Sequence, residues 1–417
     1  MSVILKPASH ADVLDAVKWA AAEAHPLDVR GGGSKLAFGR PMQTAGLLDL
    51  SAMAGITDYD PGELVMTCGP ATPMADIEKA LSDAGQELAF EPMDLGPLLL
   101  GAAVEDGGQE AGMTGTIGGV IGANLSGPRR IKMGAARDHF LGFKAVSGRG
   151  EEFKSGGRVM KNVTGFDLSK LMAGSFGTLA VMTEVTIKVL PRSEKTRTVL
   201  LMTQDDGPAQ RALSDALGAS LEVAGAAHLP ADVAARSGVG YVSGAGTSVT
   251  AARIEGPGPS VEHRCKQLRE MWGKQGKVEE LHSMNSAKFW AEVRDALYFT
   301  GERAGAQVWR VSTAPTAGPG VAEILRRETG GEIYFDWGGG LIWLALDNQM
   351  NAAADVVQQA AAHTGGHATL IRASRDVRAN VDVFQPQPAP LAELSRRVKN
   401  AFDPNGVLNP GRMAAGV

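Results

Sequence analysis

Residues 29–39 read VRGGGSKLAFG, and residues 115–130 read GTIGGVIGANLSGPRR. Both stretches place bare backbone next to groups that can hold an anion. Gly31, Gly32 and Gly33 offer amides, with the Ser34 hydroxyl and the Lys35 ammonium alongside. Gly115, Gly118, Gly119 and Gly122 stand where the chain turns into a helix, with Thr116 as its N-cap. Amides at a helix start, together with the helix dipole, favour a phosphate. Glycine lets that backbone approach a ligand with no Cβ in the way. Asn124 and Ser126 add side-chain donors just downstream. Either cluster alone reads equally well as a tight turn. Two cradles far apart along the chain suit a ligand with two adjacent phosphates, which is a dinucleotide.

The common routes to such a ligand are absent. The Walker order G-x-x-x-x-G-K-[ST] is not met, because Ser34 precedes Lys35 and LAFGRP is no helix start. No G-x-G-x-x-G occurs, so a Rossmann fingerprint is excluded, and no G-x-S-x-G nucleophile elbow occurs. His363 and His367 in HTGGH have an i,i+4 spacing. The two glycines between them argue for a turn and against a shared metal.

Composition narrows the class further. The 417 residues leave room for two or three domains. A net charge of −5 gives no electrostatic case for nucleic acid. Two cysteines, Cys68 and Cys265, fall short of the roughly four thiolates an iron–sulfur cluster needs. Cys68, in a strand-like run, reads as a small buried hydrophobe. The start lacks a basic and then apolar leader, and PLLLGAAV (97–104) is too short to span a bilayer. These features place the chain in the cytoplasm, at most resting on the inner face of the membrane through a partner. Of the 53 glycines, 13 fall within residues 101–150, where function is therefore sought.

The elements that must position the clusters follow from periodicity. Helices are expected at 10–24, with Val13, Leu14, Val17 and Ala21 on one face, and at 73–84. For the second, Thr72 is the expected N-cap, Pro73 N1 and Gly85 C′, with Met74, Ile77, Leu81 and Ala84 buried. Strands are expected at 27–30, 47–50, 64–68, 143–148 and 178–190. Residues 196–370 alternate strands and helices, as in an α+β or split βαβ domain, with a hairpin at 332–346 holding Trp337 and Trp343 in the core. Leu391, Leu394, Val398 and Phe402 mark a last helix, followed by the double turn FDPNGVLNPGRM. Domain limits are set at 1–192, 193–370 and 371–417.

RGGGSK, TIGGVIGANLSG, GRVMKNVTGFDLSKLMAGSFGTLAVMTEVTIKVLP and the closing FDPNGVLNPGRM together resemble the FAD-binding domain of the vanillyl-alcohol-oxidase / p-cresol-methylhydroxylase (PCMH-type) superfamily. SGPRR, KNVTGFDLSKLMAGSFGTL and YFDWGGGLIW most resemble the FAD-binding subunits of bacterial glycolate oxidases. The resemblance implies an α+β fold: a two-subdomain FAD domain, a ferredoxin-like cap domain and a C-terminal segment returning to the FAD domain. It puts the FAD pyrophosphate on Gly31, Gly32, Gly33, Ser34 and Lys35. The turn at Gly115, Thr116, Gly118 and Gly119 lies opposite, and Asn124, Ser126 and Gly127 fall near the ribityl chain. Val181 falls at the adenine end, and Asn409 and Arg412 at the flavin edge. In the basic run Arg129, Arg130, Lys132 and Arg137, the first two are assigned to the cofactor and the last two to a solvated turn.

Two departures shape the functional expectation. Covalent members of the superfamily carry a His near the first glycine loop. Here Ser34 and Lys35 stand there, which implies a non-covalent FAD. Relatives that oxidise D-lactate or glycolate carry H-x-G-D-G-N-x-H, and at the matching place this chain reads FDWGGGLIW without a His. Removing hydride from a hydroxy acid needs a base and a carboxylate anchor, and the sequence alone gives no such pair. The expected role is an electron relay between a homologous catalytic flavin subunit and an iron–sulfur subunit. A stand-alone FAD-dependent 2-hydroxy-acid dehydrogenase and a cofactor-free structural subunit are the competing readings.

Overall fold

The computed structural model describes residues 3–105, 114–157, 165–203 and 205–415. Residues 158–164, part of the GRVMKNVTG motif, lie outside them. The chain divides into two units: residues 1–126, 134–192 and 386–417 form the first, and residues 127–133 and 193–385 the second. The short run 127–133 thus leaves the first unit, and residues 371–385 stay with the second.

In the first unit β1 (Val3–Leu5), β2 (Leu27–Arg30) and β3 (Gly46–Asp49) form a parallel sheet in the order β1-β3-β2. The helix α1 (His10–Ala22) supplies the first crossover, capped by Ser9, whose side chain accepts from the Asp12 amide. Its buried face is Val13, Val17 and Ala20, so Ala20 takes the place expected of Ala21. A second sheet of five antiparallel strands follows. It contains β4 (Ile56–Asp60), β5 (Val65–Cys68), β6 (Phe140–Ser147), β7 (Glu152–Gly156) and β8 (Ala180–Lys188), in the order β4-β5-β8-β6-β7. One core joins α1 to both sheets through Val13, Val17, Leu27, Leu48, Val146 and Val181, closed by Val407 and Leu408.

The helix α2 (Met74–Asp83) is capped by Pro73 and not by Thr72. The Thr72 hydroxyl is spent elsewhere: it donates to the Gly69 carbonyl at 2.7 Å and accepts from the Gly55 amide at 2.9 Å. Gly85 ends the helix at a φ of 66°, while Ala84 is exposed and Ile77 and Leu81 carry the burial. The second glycine cluster forms the short helix α3 (Ile117–Gly122), with Thr116 as its N-cap.

The second unit holds one eight-stranded antiparallel sheet. Its first half runs β9 (Lys195–Thr203), α4 (Asp206–Gly218), β10 (Val223–Leu229), β11 (Ser248–Gly256), α5 (Gly258–Trp272) and β12 (Val278–His282). The helix α6 (Ser283–Arg294) then connects to the second half. That half runs β13 (Gln307–Ser312), α7 (Gly318–Thr329), β14 (Glu332–Asp336), β15 (Leu341–Leu346), α8 (Ala354–His363) and β16 (His367–Arg372). The order across the sheet is β12-β9-β11-β10-β14-β15-β13-β16. Each half is a split βαβ of ferredoxin type, and the second repeats the strand order of the first from the opposite end. The halves join where His228 faces Phe335. Each has its own core, around Leu213, Ile254 and Trp272 in one and Trp309, Leu325 and Leu344 in the other. Trp337 and Trp343 are buried.

The chain re-enters the first unit through α9 (Ala389–Phe402). The expected helix is present, with the first half of its apolar stripe about half exposed, Leu391 at 47% and Leu394 at 48%, while Phe402 packs against Phe153. Lys399 is the only residue of α9 that is fully buried.

Candidate functional site: a two-loop anion cradle in the first unit

The strand β2 delivers the chain to the first glycine loop with Asp28 and Arg30 on one side and Leu27 and Val29 on the other, the alternation of an extended strand. Leu27 and Val29 enter the core, and Asp28 and Arg30 line a cavity, where they pair at 2.5 Å. Gly33 turns the loop at a φ of 79°, a conformation glycine adopts without a Cβ penalty. The loop then meets the second segment directly. The Thr114 amide donates to the Gly32 carbonyl at 3.0 Å, and Gly33 and Thr114 pair as a parallel bridge. A Cβ on Gly32 would stand 2.2 Å from the Thr114 oxygen, and one on Gly31 2.9 Å from Thr116 Oγ1.

The cavity between these segments spans about 830 Å³ including its mouth. Of the residues singled out from sequence, Gly31, Gly32, Gly33, Ser34, Lys35, Thr116, Gly118, Gly119, Gly122, Val181, Asn409 and Arg412 line it. Asp28, Arg30, Thr114 and Phe176 line it too and were not singled out. The alternation D-x-R ahead of three glycines was the signal for the first two.

The two loops contribute differently. Among the described residues, the amides of Gly32 and Gly33 donate to no protein acceptor, while the Ser34 amide faces the Thr114 carbonyl in the parallel bridge. Backbone amides away from bulk water are normally paired, so these two are poised for an acceptor from outside the chain. The expectation that α3 presents free amides needs correction. The Ile117 amide donates to the Thr72 carbonyl, Gly118 to Pro70 at 2.8 Å, and Gly119 to Thr116 Oγ1 at 3.4 Å. What α3 supplies is room. Gly118 lies so close to Pro70 that a Cβ would approach its carbonyl oxygen to 2.7 Å, and a Cβ on Gly122 would meet nothing within 4 Å.

Lys35 supplies the charge. Its Nζ donates to Ser34 Oγ at 3.2 Å and lies 3.4 Å from where a Gly119 Cβ would be. Burial pushes its pKa down to about 8, Asp94 pulls it back up, and Arg412 lowers it further. An ammonium held this dry gains from an anion beside it.

Asn409 and Arg412 act on the loop through the backbone. Asn409 Oδ1 accepts from the Val29 amide at 2.7 Å and its Nδ2 donates to the Phe176 carbonyl at 2.8 Å, which fixes β2 against the 175–178 turn. Arg412 donates to the Lys35 carbonyl at 2.6 Å. The segment is anchored by the buried pair Lys399–Asp403 at 2.6 Å. Lys399 also reaches the Thr178 and Leu408 carbonyls, and Asp403 accepts from the Val407 and Leu408 amides.

Of the expected site residues within the first unit, Gly115, Asn124 and Ser126 do not line the cavity. Gly115 accepts from the Met74 amide. Asn124 Oδ1 accepts from the Arg137 amide at 3.1 Å and Ser126 Oγ from Ala136 at 2.8 Å, so both hold the turn that follows and neither lines the cavity. Gly127, Arg129 and Arg130 belong to the second unit. There Arg129 grips the buried carboxylate of Glu255 at 2.8 Å, a structural ion pair. Among the described residues no group of three or more His, Cys, Asp or Glu is placed for a metal ion.

Residues 1–113 match the family model described as FAD binding domain. The chain is 36% identical over 406 residues to glycolate oxidase subunit GlcE of Escherichia coli (strain K12), covering 97% of each. The chain belongs to the GlcE family. FAD is accordingly the cofactor of this GlcE relative, and the unpaired amides, the desolvated Lys35 and the open face of Gly122 fit its diphosphate. The likeness extends, at 30% identity over 197 residues, to glycolate oxidase subunit GlcD of Bacillus subtilis (strain 168), covering 47% of this chain and 38% of that one. The fold matches p-cresol methylhydroxylase with a TM-score of 0.70 at 15% identity, over 98% of this chain and 88% of the other. The GlcE-family fold is thus α+β and PCMH-type. No helix among the described residues is long and apolar enough to cross a membrane.

Proposed function

We propose that this chain is the FAD-carrying subunit of a multisubunit enzyme that oxidises glycolate to glyoxylate. Its role there is to relay electrons from a homologous catalytic flavin subunit to an iron–sulfur subunit. The observation that carries the reading is the full-length likeness to a glycolate oxidase subunit in a chain whose two glycine loops meet over one cavity. The bound flavin supplies the electron-accepting and electron-donating centre. The chain's own residues bind and orient it. Gly32 and Gly33 offer amides and Ser34 its hydroxyl to the diphosphate, Lys35 balances its charge, Val181 packs at the adenine end, and Asn409 and Arg412 hold the loop in register. With Ser34 where covalent relatives carry His, the FAD is non-covalent. The complex works in the cytoplasm, against the inner face of the membrane.

Affinity purification of the tagged chain from native extract tests this. The eluate is expected to carry FAD, a second flavoprotein and an iron–sulfur protein, and to reduce dyes with glycolate. The chain alone is expected to hold FAD and to reduce dyes with glycolate at least about a hundredfold more slowly. Vigorous turnover by the isolated chain contradicts the relay role.

A further inference from the structure

The second unit carries a cationic patch that the cofactor site does not use. Arg310 lies on β13 and faces Trp343 on one side and Thr369 on the other in the sheet register. Its neighbours Trp309 and Val311 point into the helix-covered core, so Arg310 points to the opposite face. Tyr334 stacks on Trp343 at a 12° interplanar angle and makes an aromatic floor beside it. The tip of the β14–β15 hairpin adds Trp337, whose ring centroid lies 4.9 Å from the Arg310 guanidinium carbon and 4.3 Å from that of Arg130. The 127–133 run is fixed here by the Trp337 indole, which donates to the Gly127 carbonyl at 3.2 Å. Two guanidinium groups therefore share one indole.

Among the described residues the Arg310 guanidinium has no hydrogen-bond acceptor and no carboxylate within ion-pair distance. Five N–H donors are left over a dry aromatic floor, an arrangement that favours a planar anion meeting the fork two-pronged. Burial first, and then the nearby Arg130 charge, pushes the Arg310 pKa down to about 10, so Asp336 does not offset the crowding of positive charge. His367 opens β16 opposite Ser312, two positions along from Arg310 on the same face. Burial and the charges of Arg310 and Arg130 hold its imidazole below the usual range and so neutral at pH 7. A neutral imidazole can accept a hydrogen bond from a hydroxyl.

We infer that Arg310, with Arg130 and Trp337, binds the carboxylate of a small 2-hydroxy or 2-oxo acid, and that His367 meets its 2-oxygen substituent. The cation–indole geometry favours a carboxylate whatever the chain's role. The choice of a 2-hydroxy acid rests on the proposed function.

Calorimetric titration of the full chain with glycolate, glyoxylate, acetate, inorganic phosphate and uncharged glycolamide tests the inference, with indole fluorescence as a second readout. Glycolate and glyoxylate are expected to bind and glycolamide is not. Arg310→Gln is expected to weaken glycolate at least about tenfold and Arg310→Lys by less, and the lysine variant serves if the glutamine variant does not fold. His367→Gln is expected to weaken glycolate severalfold and to leave acetate within about twofold. Undiminished binding by the Arg310 variants, equal binding of glycolamide, or phosphate binding as tightly as glycolate overturns the assignment. FAD content and partner recovery are measured on the same preparations. A wild-type chain that holds both and binds no acid contradicts this inference and leaves the proposed function standing.

Discussion

The amide of Thr114 donates to the carbonyl of Gly32 at 3.0 Å, and this one hydrogen bond brings the two glycine clusters together. Beside it, among the described residues, the amides of Gly32 and Gly33 donate to no protein acceptor. Glycine is required at position 32 for this approach, because a Cβ would stand 2.2 Å from the Thr114 oxygen.

Gly32→Ala and Gly122→Ala are therefore expected to behave in opposite ways. The first forces two backbones apart, at a cost of about 1–3 kcal/mol in stability by the usual penalty of overpacking, and FAD content falls with it. The second adds a methyl that meets nothing within 4 Å. It gains up to about 1 kcal/mol from helix propensity while narrowing the cavity, so the melting temperature holds or rises and FAD affinity drops. Thermal melts of the apo forms, with flavin absorbance of the purified variants, check both outcomes.

Lys35 gives the site a pH dependence of defined sign. Its pKa in the ligand-free fold is about 8, against an ordinary 10.5. The unfolded chain then binds more protons between those values, so the stability of the ligand-free protein contributed by Lys35 rises with pH across that window. A bound diphosphate favours the charged form and raises the pKa again. Binding thus takes up a proton, and FAD affinity is expected to be greatest below pH 8 and to decline above it. Lys35→Met is expected to flatten this profile and weaken binding by about 1.5–3 kcal/mol, the worth of a hydrogen bond to a charged group. Fluorescence titration with FAD from pH 6.5 to 9.5 reads both effects.

How much of this was open to sequence reading can be traced residue by residue. The strand 27–30 and the helix from His10 were legible because their apolar periods are clean. The duplication inside the second unit was not, because strands such as VAGAAHL are buried on both faces and carry no alternation. The loop at 31–35 was legible from its glycines. The engaged amides of α3 were not, because their acceptors, the Thr72 and Pro70 carbonyls, lie more than forty residues upstream. Asn124 and Ser126 look like ligand donors in sequence. Only the fold shows their oxygens committed to Arg137 and Ala136. Arg310, Arg130 and Trp337 come from three separate segments, so no local pattern announces them.

The C-terminal anchor is expected to control the cofactor from a distance. Asp403→Ala leaves the Lys399 ammonium buried without its carboxylate and removes the acceptor for the Val407 and Leu408 amides. Breaking such a buried pair costs about 3–5 kcal/mol. Asn409→Ala removes the bonds to Val29 and Phe176 and is expected to cost about 1–3 kcal/mol. Both variants should lose FAD more readily than wild type on dilution, measured as the rate at which flavin fluorescence is released.

A non-covalent flavin makes a simple expectation. Precipitating the holoprotein with acid should leave a colourless pellet and a yellow supernatant with the absorbance of free FAD. Colour retained in the pellet would mean a covalent bond that Ser34 and its neighbours do not explain.

Titration of the flavin-free chain with FAD, ADP and FMN tests the diphosphate cradle most directly, because ADP keeps the diphosphate and FMN does not. FAD is expected to bind tightly, ADP to bind and compete with it, and FMN to bind at least about a hundredfold more weakly than FAD. FMN binding as tightly as FAD, with no competition from ADP, would contradict the assignment of the loops at Gly32 and Gly119 to the diphosphate.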